Sequence, residues 1–258
     1  MMVSDSVENK PKQRMAIPAR WPTGKPAPLA ANEIQVWLAD LRQPVERLAQ
    51  LTATLSAEEQ ERAMRFGLAE LRDLFIAGRG LLRELLAVYL NQPAATLQFR
   101  QGLQGKPLLA GGGGNNDLHF NVSHSADWAL YAVARCPVGI DLECMDRMTN
   151  PVAIAERICT PREWAAFQAM PTEQLHSAFF TCWTRKEAIA KALGGGLACG
   201  LRTLEVCFPA DEFAESRVNL RDKQGQQWSV LNLPLGPGWS GALAAAGMDW
   251  HWRGRGWA

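Results

Sequence analysis

The segment Val138-Gly-Ile-Asp-Leu-Glu143 sets two carboxylates two residues apart, beside a glycine. On a strand, side chains alternate between faces. Val138, Ile140 and Leu142 then face a core, while Gly139, Asp141 and Glu143 face the other way, with the glycine leaving space. Like charges so close repel unless a cation lies between them. Oxygen-only ligands suit Mg²⁺, which commonly takes one or two carboxylates together with substrate phosphates. A solvated amphipathic strand carries the same alternation, which is common at sheet edges.

Three other segments carry polar groups in suggestive places. In Phe179-Phe-Thr-Cys-Trp-Thr-Arg-Lys-Glu-Ala-Ile-Ala-Lys-Ala-Leu-Gly194, helical spacing puts Phe180, Trp183, Thr184, Glu187 and Lys191 on one face. The rest of that helix is largely apolar and therefore expected to be buried, where a carboxylate and an ammonium need partners. Glu187 and Lys191 either form an i,i+4 pair worth about 0.2–0.5 kcal/mol, or Glu187 completes a three-carboxylate metal site and Lys191 meets a phosphate. Phe120-Asn-Val-Ser-His-Ser125 joins a strand to a polar turn. Ser123, His124 and Ser125 there have donors for phosphate or ribose oxygens, or serve only the turn. Adjacent Ser and His do not generally make a hydrolase triad, and the chain has no G-x-S-x-G elbow. Gly105-Lys-Pro107 is a turn presenting Lys106; Gly24-Lys-Pro26 repeats the letters in an irregular region.

These residues need elements to hold them. Glu33 to Leu38 reads as a strand. Ser56 opens a helix with Glu59 completing a capping box. Leu71, Phe75, Leu82, Leu85 and Leu86 predict a long helix over 68–90. Strands are expected at 97–100, 120–123, 128–134 and 138–143, with a flexible loop at 111–116. Thr160-Pro-Arg-Glu163 is a second capping box with proline at the first helical position. A long helix over 176–193 follows, then strands near 201–208 and 227–233. Each capping box lies about twenty residues past a strand and precedes a long helix. This weak duplication predicts an α+β fold of two similar, pseudo-symmetric halves with a ligand cleft between them. The expected divisions are a tail at 1–33, halves at 34–137 and 138–247, and a Trp-rich tail at 248–258.

The 258 residues suffice for one large or two small domains. Lys and Arg number 27 against 26 Asp and Glu, which argues against a protein built to bind nucleic acid but leaves room for a local basic pocket. Cys136, Cys144, Cys159, Cys182, Cys199 and Cys207 form no CxxC pair and read as reduced thiols of a cytoplasmic protein. A signal peptide is not expected, because no apolar stretch follows the basic N-terminal residues. The small-apolar run 241–248 is far too short to span a bilayer.

Taken in order, Gly105-Lys-Pro, Phe120-Asn-Val-Ser-His-Ser, Gly139-Ile-Asp-Leu-Glu and Trp183-Thr-Arg-Lys-Glu-Ala with Lys191 resemble the Sfp-type phosphopantetheinyl transferase family. The resemblance covers about residues 34–235, including Arg62-Ala-Met-Arg65 as the family's basic pair and Arg79. It implies transfer of the phosphopantetheine of coenzyme A to a serine of an apo acyl or peptidyl carrier protein. It implies Mg²⁺ held by Asp141, Glu143 and Glu187. The 3′-phosphate of coenzyme A would meet Arg62, Arg65, Lys106 and His124, with Ser123 nearby. Lys191 and Lys186 would face the pyrophosphate, with Glu187 as candidate base. No nucleic-acid or membrane partner is implied, and the internal duplication makes a monomer the expected state. Two rival readings share these motifs: a Mg²⁺-dependent phosphodiesterase acting on a nucleotide pyrophosphate, and a carrier-binding module without catalysis.

Overall fold

The computed structural model describes residues 21–102, 107–110, 118–147, 151–194, 200–206, 218–222 and 225–257. Lys106, the 111–116 loop and the first twenty residues of the expected tail lie outside them. The first half contains β1 (Glu33–Asp40), α1 (Val45–Thr54), α2 (Ala57–Met64), α3 (Ala69–Leu90), the short strands β2 (Phe99–Gln101) and β3 (Pro107–Leu109), β4 (His119–Ser125) and β5 (Trp128–Ala134). The second half contains β6 (Val138–Cys144), α4 (Pro151–Ile158), α5 (Pro161–Gln168), α6 (Thr172–Leu193), β7 (Val218–Arg221), β8 (Gln227–Asn232) and β9 (Trp239–Ala246). β10 (His251–Trp257) follows.

The duplication is visible in the pairing as well as the order. One sheet runs β10-β1-β5-β4 and the other β6-β9-β8-β7. In each half, the first strand of the sheet pairs antiparallel with the half's last strand, and that strand pairs antiparallel with the one before it. Each half has an eight-residue helix with a capping box, from Ser56 and Glu59 or from Thr160 and Glu163. Each cap satisfies two helix-end N–H groups, and losing its hydroxyl typically costs about 1 kcal/mol. A 22-residue helix follows in both halves.

Three sequence expectations change. The Trp-rich end is no tail: β10 pairs in parallel with β1 from Glu33 to Ala39. Trp257 packs edge-on against Trp37 and donates its indole N–H to Leu81 O. The end of the chain therefore closes the sheet of the first half. Of the stretch expected as a strand near 201–208, only 201–206 are described, and these instead begin with a 3-10 turn at Leu201–Thr203. Its carbonyls at Leu201 and Leu204 accept from Lys186 Nζ, Val206 O accepts from Arg185, and Val206 N–H donates to Glu163. Buried side chains thus take the backbone groups that a ladder would have used. The run 241–246 belongs to the interior strand β9, which the sequence reading passed over. Its small, non-alternating residues are buried on both faces, as an interior strand allows.

Helix α6 packs directly on β6 and β9. Gly139 makes this close approach possible: a Cβ there would lie 2.0 Å from Ala188 O and 2.5 Å from Ala192 N, both helix backbone. Helix backbone cannot yield as a flexible side chain would. We expect Gly139→Ala to destabilise the protein by the upper end of the roughly 1–3 kcal/mol that overpacking costs. Urea unfolding measures this, and a change near zero would mean that α6 does not rest on β6 at this point.

Candidate active site

Strands β4 and β6 are the facing edges of the two sheets. They are joined through side chains. Asn121 Oδ1 accepts Ile140 N–H at 2.8 Å, Ser123 Oγ accepts Leu142 N–H at 3.2 Å, and Ser125 Oγ accepts Cys144 N–H at 3.0 Å. Alternate residues of β4 therefore cap alternate N–H groups of the β6 edge. All three side chains are buried. Asn121 was not singled out from sequence; the signal was there in its period-two spacing with Ser123 and Ser125.

The same hydroxyls reach the carboxylates. Ser123 Oγ donates to Asp141 Oδ1 at 2.9 Å, and Ser125 Oγ donates to Glu143 Oε2 at 3.2 Å. From α6, Lys191 Nζ lies 2.6 Å from Asp141 Oδ1 and 3.0 Å from Ser123 Oγ, and it also donates to Ile140 O. Trp183 Nε1 donates to Glu143 Oε1 at 3.2 Å. Glu187, one turn before Lys191, feels the charges of Asp141, Lys191 and Glu143. Asp141, Glu143, Glu187, Lys191 and Ser123 thus meet in one place, at the junction of the halves. His124 alternates to the exposed side of β4 and stays within the field of Lys191. Crowding by protein and that neighbouring ammonium both push its pKa down.

The carboxylates are under-satisfied. Asp141 Oδ2 and Glu187 Oε1 are buried with no hydrogen-bond donor, an arrangement that ordinarily costs free energy. Burial first, and the charge of Asp141 second, raise the pKa of both Glu143 and Glu187 above the ordinary carboxylate value. An all-oxygen donor set with orphaned lone pairs, whose acids raise one another's pKa, has the chemistry that suits a hard divalent cation. A second cluster, Cys159, Glu163 and Cys182, fits a metal poorly. Both Glu163 oxygens are taken, by Thr160 N–H, Val206 N–H and Lys186 Nζ, each at 2.8 Å.

That last contact corrects one expectation. Lys186 does not face the site: it is fully buried in the second half, paired with Glu163. Successive residues on an α-helix are about 100° apart. When Glu187 faces β6 and the cleft, Lys186 is turned into the packed side. The basic residues of the first half form a group of their own. Arg79 pairs with Glu59 at 3.2 Å, and burial with the charges of Arg83 and Arg62 acts to lower its pKa. Arg62 lies over the Phe75 ring, and Arg65 is exposed, 3.8 Å from Glu61.

The raised carboxylate pKa values carry a sign for stability. A folded-state pKa above the unfolded value of 4.5 means that the folded protein holds that proton more tightly. The stability contribution is complete below 4.5 and is lost as pH rises through the folded-state value. In chelator, Glu187→Gln should therefore raise Tm relative to the parent chain, by a gap that widens from weakly acidic to neutral pH. Adding Mg²⁺ should close the gap. Thermal unfolding across pH checks this, and a pH-independent gap would assign the effect to packing.

Residues 137–245 match the 4′-phosphopantetheinyl transferase superfamily, and residues 42–136 match the 4′-phosphopantetheinyl transferase N-terminal family. The boundary between the matches falls at the boundary between the halves. The chain is similar to the 4′-phosphopantetheinyl transferase HetI of Nostoc, 37% identical over 224 residues, which is 86% of this chain and 92% of the relative. It is similar to the transferase Sfp of Bacillus subtilis, 27% identical over 76% of this chain and 84% of the relative. A human L-aminoadipate-semialdehyde dehydrogenase-phosphopantetheinyl transferase is 29% identical over 68% of this chain and 62% of the relative. With the carboxylates and Lys191 gathered between two matched halves, the chain belongs to the 4′-phosphopantetheinyl transferase family of enzymes.

Proposed function

We propose that this enzyme transfers the 4′-phosphopantetheine group of coenzyme A to a serine of an apo acyl or peptidyl carrier protein, in the cytoplasm, with Mg²⁺ bound by Asp141, Glu143 and Glu187. The observation that carries this reading is the pair of buried, donorless carboxylate oxygens, Asp141 Oδ2 and Glu187 Oε1, beside Lys191. The serine hydroxyl attacks the β-phosphorus of coenzyme A. The bond to the adenosine 3′,5′-bisphosphate oxygen breaks, and a phosphodiester forms. Bound Mg²⁺ supplies charge neutralisation at the pyrophosphate.

The chain's own residues do the rest. Lys191 directs an ammonium at the leaving phosphate, where charge grows in the transition state. Glu187 takes the serine proton, directly or through a water. Ser123 orients both Asp141 and Lys191 through its hydroxyl. Arg62, Arg65, Lys106 and His124 bind the 3′-phosphate. Arg62 keeps the charge of a lysine and adds bidentate geometry. Support for the first arginine comes from its place beside Arg79. No helix among the described residues is long and apolar enough to cross a membrane.

Intact-mass spectrometry of apo-carriers from fatty-acid, polyketide and peptide synthesis tests the activity. One carrier or more should gain the mass of a single phosphopantetheine only when coenzyme A and a divalent metal are both present. No transfer to any of the three, or hydrolysis of coenzyme A without a carrier, would overturn it. Calorimetry tests the 3′-phosphate contacts. Arg62→Ala, Lys106→Ala or His124→Ala should weaken coenzyme A binding about ten-fold, the effect of losing a charge-assisted contact of roughly 1.5–3 kcal/mol. Binding of dephospho-coenzyme A should hardly change. Equal losses for both ligands would place these residues elsewhere on the ligand.

A further inference from the structure

Among the three acids, Glu143 is held in a way of its own. Asp141 and Glu187 each leave a buried oxygen with no donor, whereas both Glu143 oxygens already accept: Oε1 from the Trp183 indole and Oε2 from Ser125. Neither donor is free to turn away. Ser125 Oγ accepts Cys144 N–H, which fixes its lone pairs and leaves its proton for Glu143. The Trp183 ring stacks on Phe179, centroids 6.1 Å apart at 21°, and Phe179 is completely buried. The donors come from two different elements, β4 and α6, and grip a carboxylate on a third, β6. A carboxylate has about four lone-pair sites. Two are taken here by the chain, and one on each oxygen remains.

We propose that Trp183 and Ser125 are positioning residues that lock the Glu143 carboxylate in one orientation and so set the divalent-cation affinity of the site, a role that rests on the cation-binding reading of the cluster. A carboxylate on a flexible stem loses rotamer freedom when a metal captures it. With that freedom removed in advance, the cation meets a preorganised ligand. Partners of this kind around a ligating side chain typically change metal affinity by about 10–100-fold. Neither residue touches substrate in this role; each acts through Glu143. The sheet junction and the long helix of the second half are thereby coupled at the metal. If β4 and α6 were displaced from each other, Glu143 would lose one of its two donors.

The test is Mn²⁺ binding, followed by electron paramagnetic resonance, on the full chain with neither coenzyme A nor carrier present. Trp183→Phe keeps the ring on Phe179 and deletes only the N–H. It should raise the Mn²⁺ dissociation constant about ten-fold. Ser125→Ala should do the same, and Ser125→Thr, which restores a hydroxyl, should return it toward the parent value. In the transfer assay the Mg²⁺ activation constant of Trp183→Phe should rise by a similar factor, with a smaller change in kcat at saturating Mg²⁺. Ser125→Ala also strips an acceptor from Cys144 N–H, so thermal unfolding is measured in parallel; if that variant does not fold, Trp183→Phe decides. An unchanged Mn²⁺ affinity in Trp183→Phe, with the parent chain binding Mn²⁺ normally, overturns the positioning role and leaves the cation site standing. A parent chain that transfers phosphopantetheine yet binds no Mn²⁺ overturns the cation site and the positioning role with it.

Discussion

The edge of β6 is the constraint on which the rest of the molecule depends. An edge strand presents N–H groups with no neighbouring strand to accept them. Here β9 pairs with one side of β6, and the other side meets β4 of the opposite half. Among the described residues, no backbone ladder joins those two strands. Asn121, Ser123 and Ser125 supply side-chain oxygens in its place, one for every second N–H of β6. Each such bond contributes about 1 kcal/mol, whereas leaving the buried N–H unmet costs more. The register of the two halves is therefore fixed by polar pairing at single-residue precision. A slip of one residue would turn the hydroxyls away from Asp141 and Glu143. The same atoms that join the halves hold the carboxylates.

Helix α6 serves two environments at once. Toward β6 it presents Trp183, Glu187 and Lys191; Gly139 permits the contact by having no side chain. Toward the core of the second half it presents Arg185 and Lys186, whose donors pin the segment 201–206 by way of Val206, Leu201 and Leu204. The two lysines five residues apart show how the environment decides a role. Lys186 lies fully buried, 2.8 Å from Glu163, within a network that also satisfies a helix cap. A buried pair of this kind contributes little net stability, although breaking it is costly. Lys191 keeps part of its surface open and sits against an acid that has an oxygen to spare.

The contrast between those two charged clusters separates structure from chemistry. Around Glu163, each acceptor has its donor and the chain gains a rigid joint. Around Asp141 and Glu187, acceptors outnumber donors, and burial makes Glu143 and Glu187 resist ionisation. A folded protein tolerates such an imbalance where stability gained elsewhere offsets it. Both halves have cores of their own for that purpose, and a third cluster of apolar side chains, including Ile34, Val36, Leu130, Ile140 and Leu243, lies between the sheets.

The sequence by itself determined what depends on near neighbours. Both capping boxes, the presence of a long helix in each half, the alternation of Val138 to Glu143 and the common face of Trp183, Glu187 and Lys191 follow from spacing along the chain, and each recurs in the fold. The repeated order of elements was readable for the same reason. Tertiary structure alone decided which strand lies beside which. Nothing local in Trp239 to Ala246 marks a strand, because alanine has little strand preference and its burial comes from α6 above and the other sheet below. Nothing local in His251 to Trp257 says that it pairs with β1, more than two hundred residues earlier. The fates of Lys186 and Lys191 could not be told apart by residue type: both are lysines on one amphipathic helix. Only the packing of that helix on β6, set by the missing side chain of Gly139 and by the polar seam of β4, assigned one to a closed ion pair and the other to the open carboxylates.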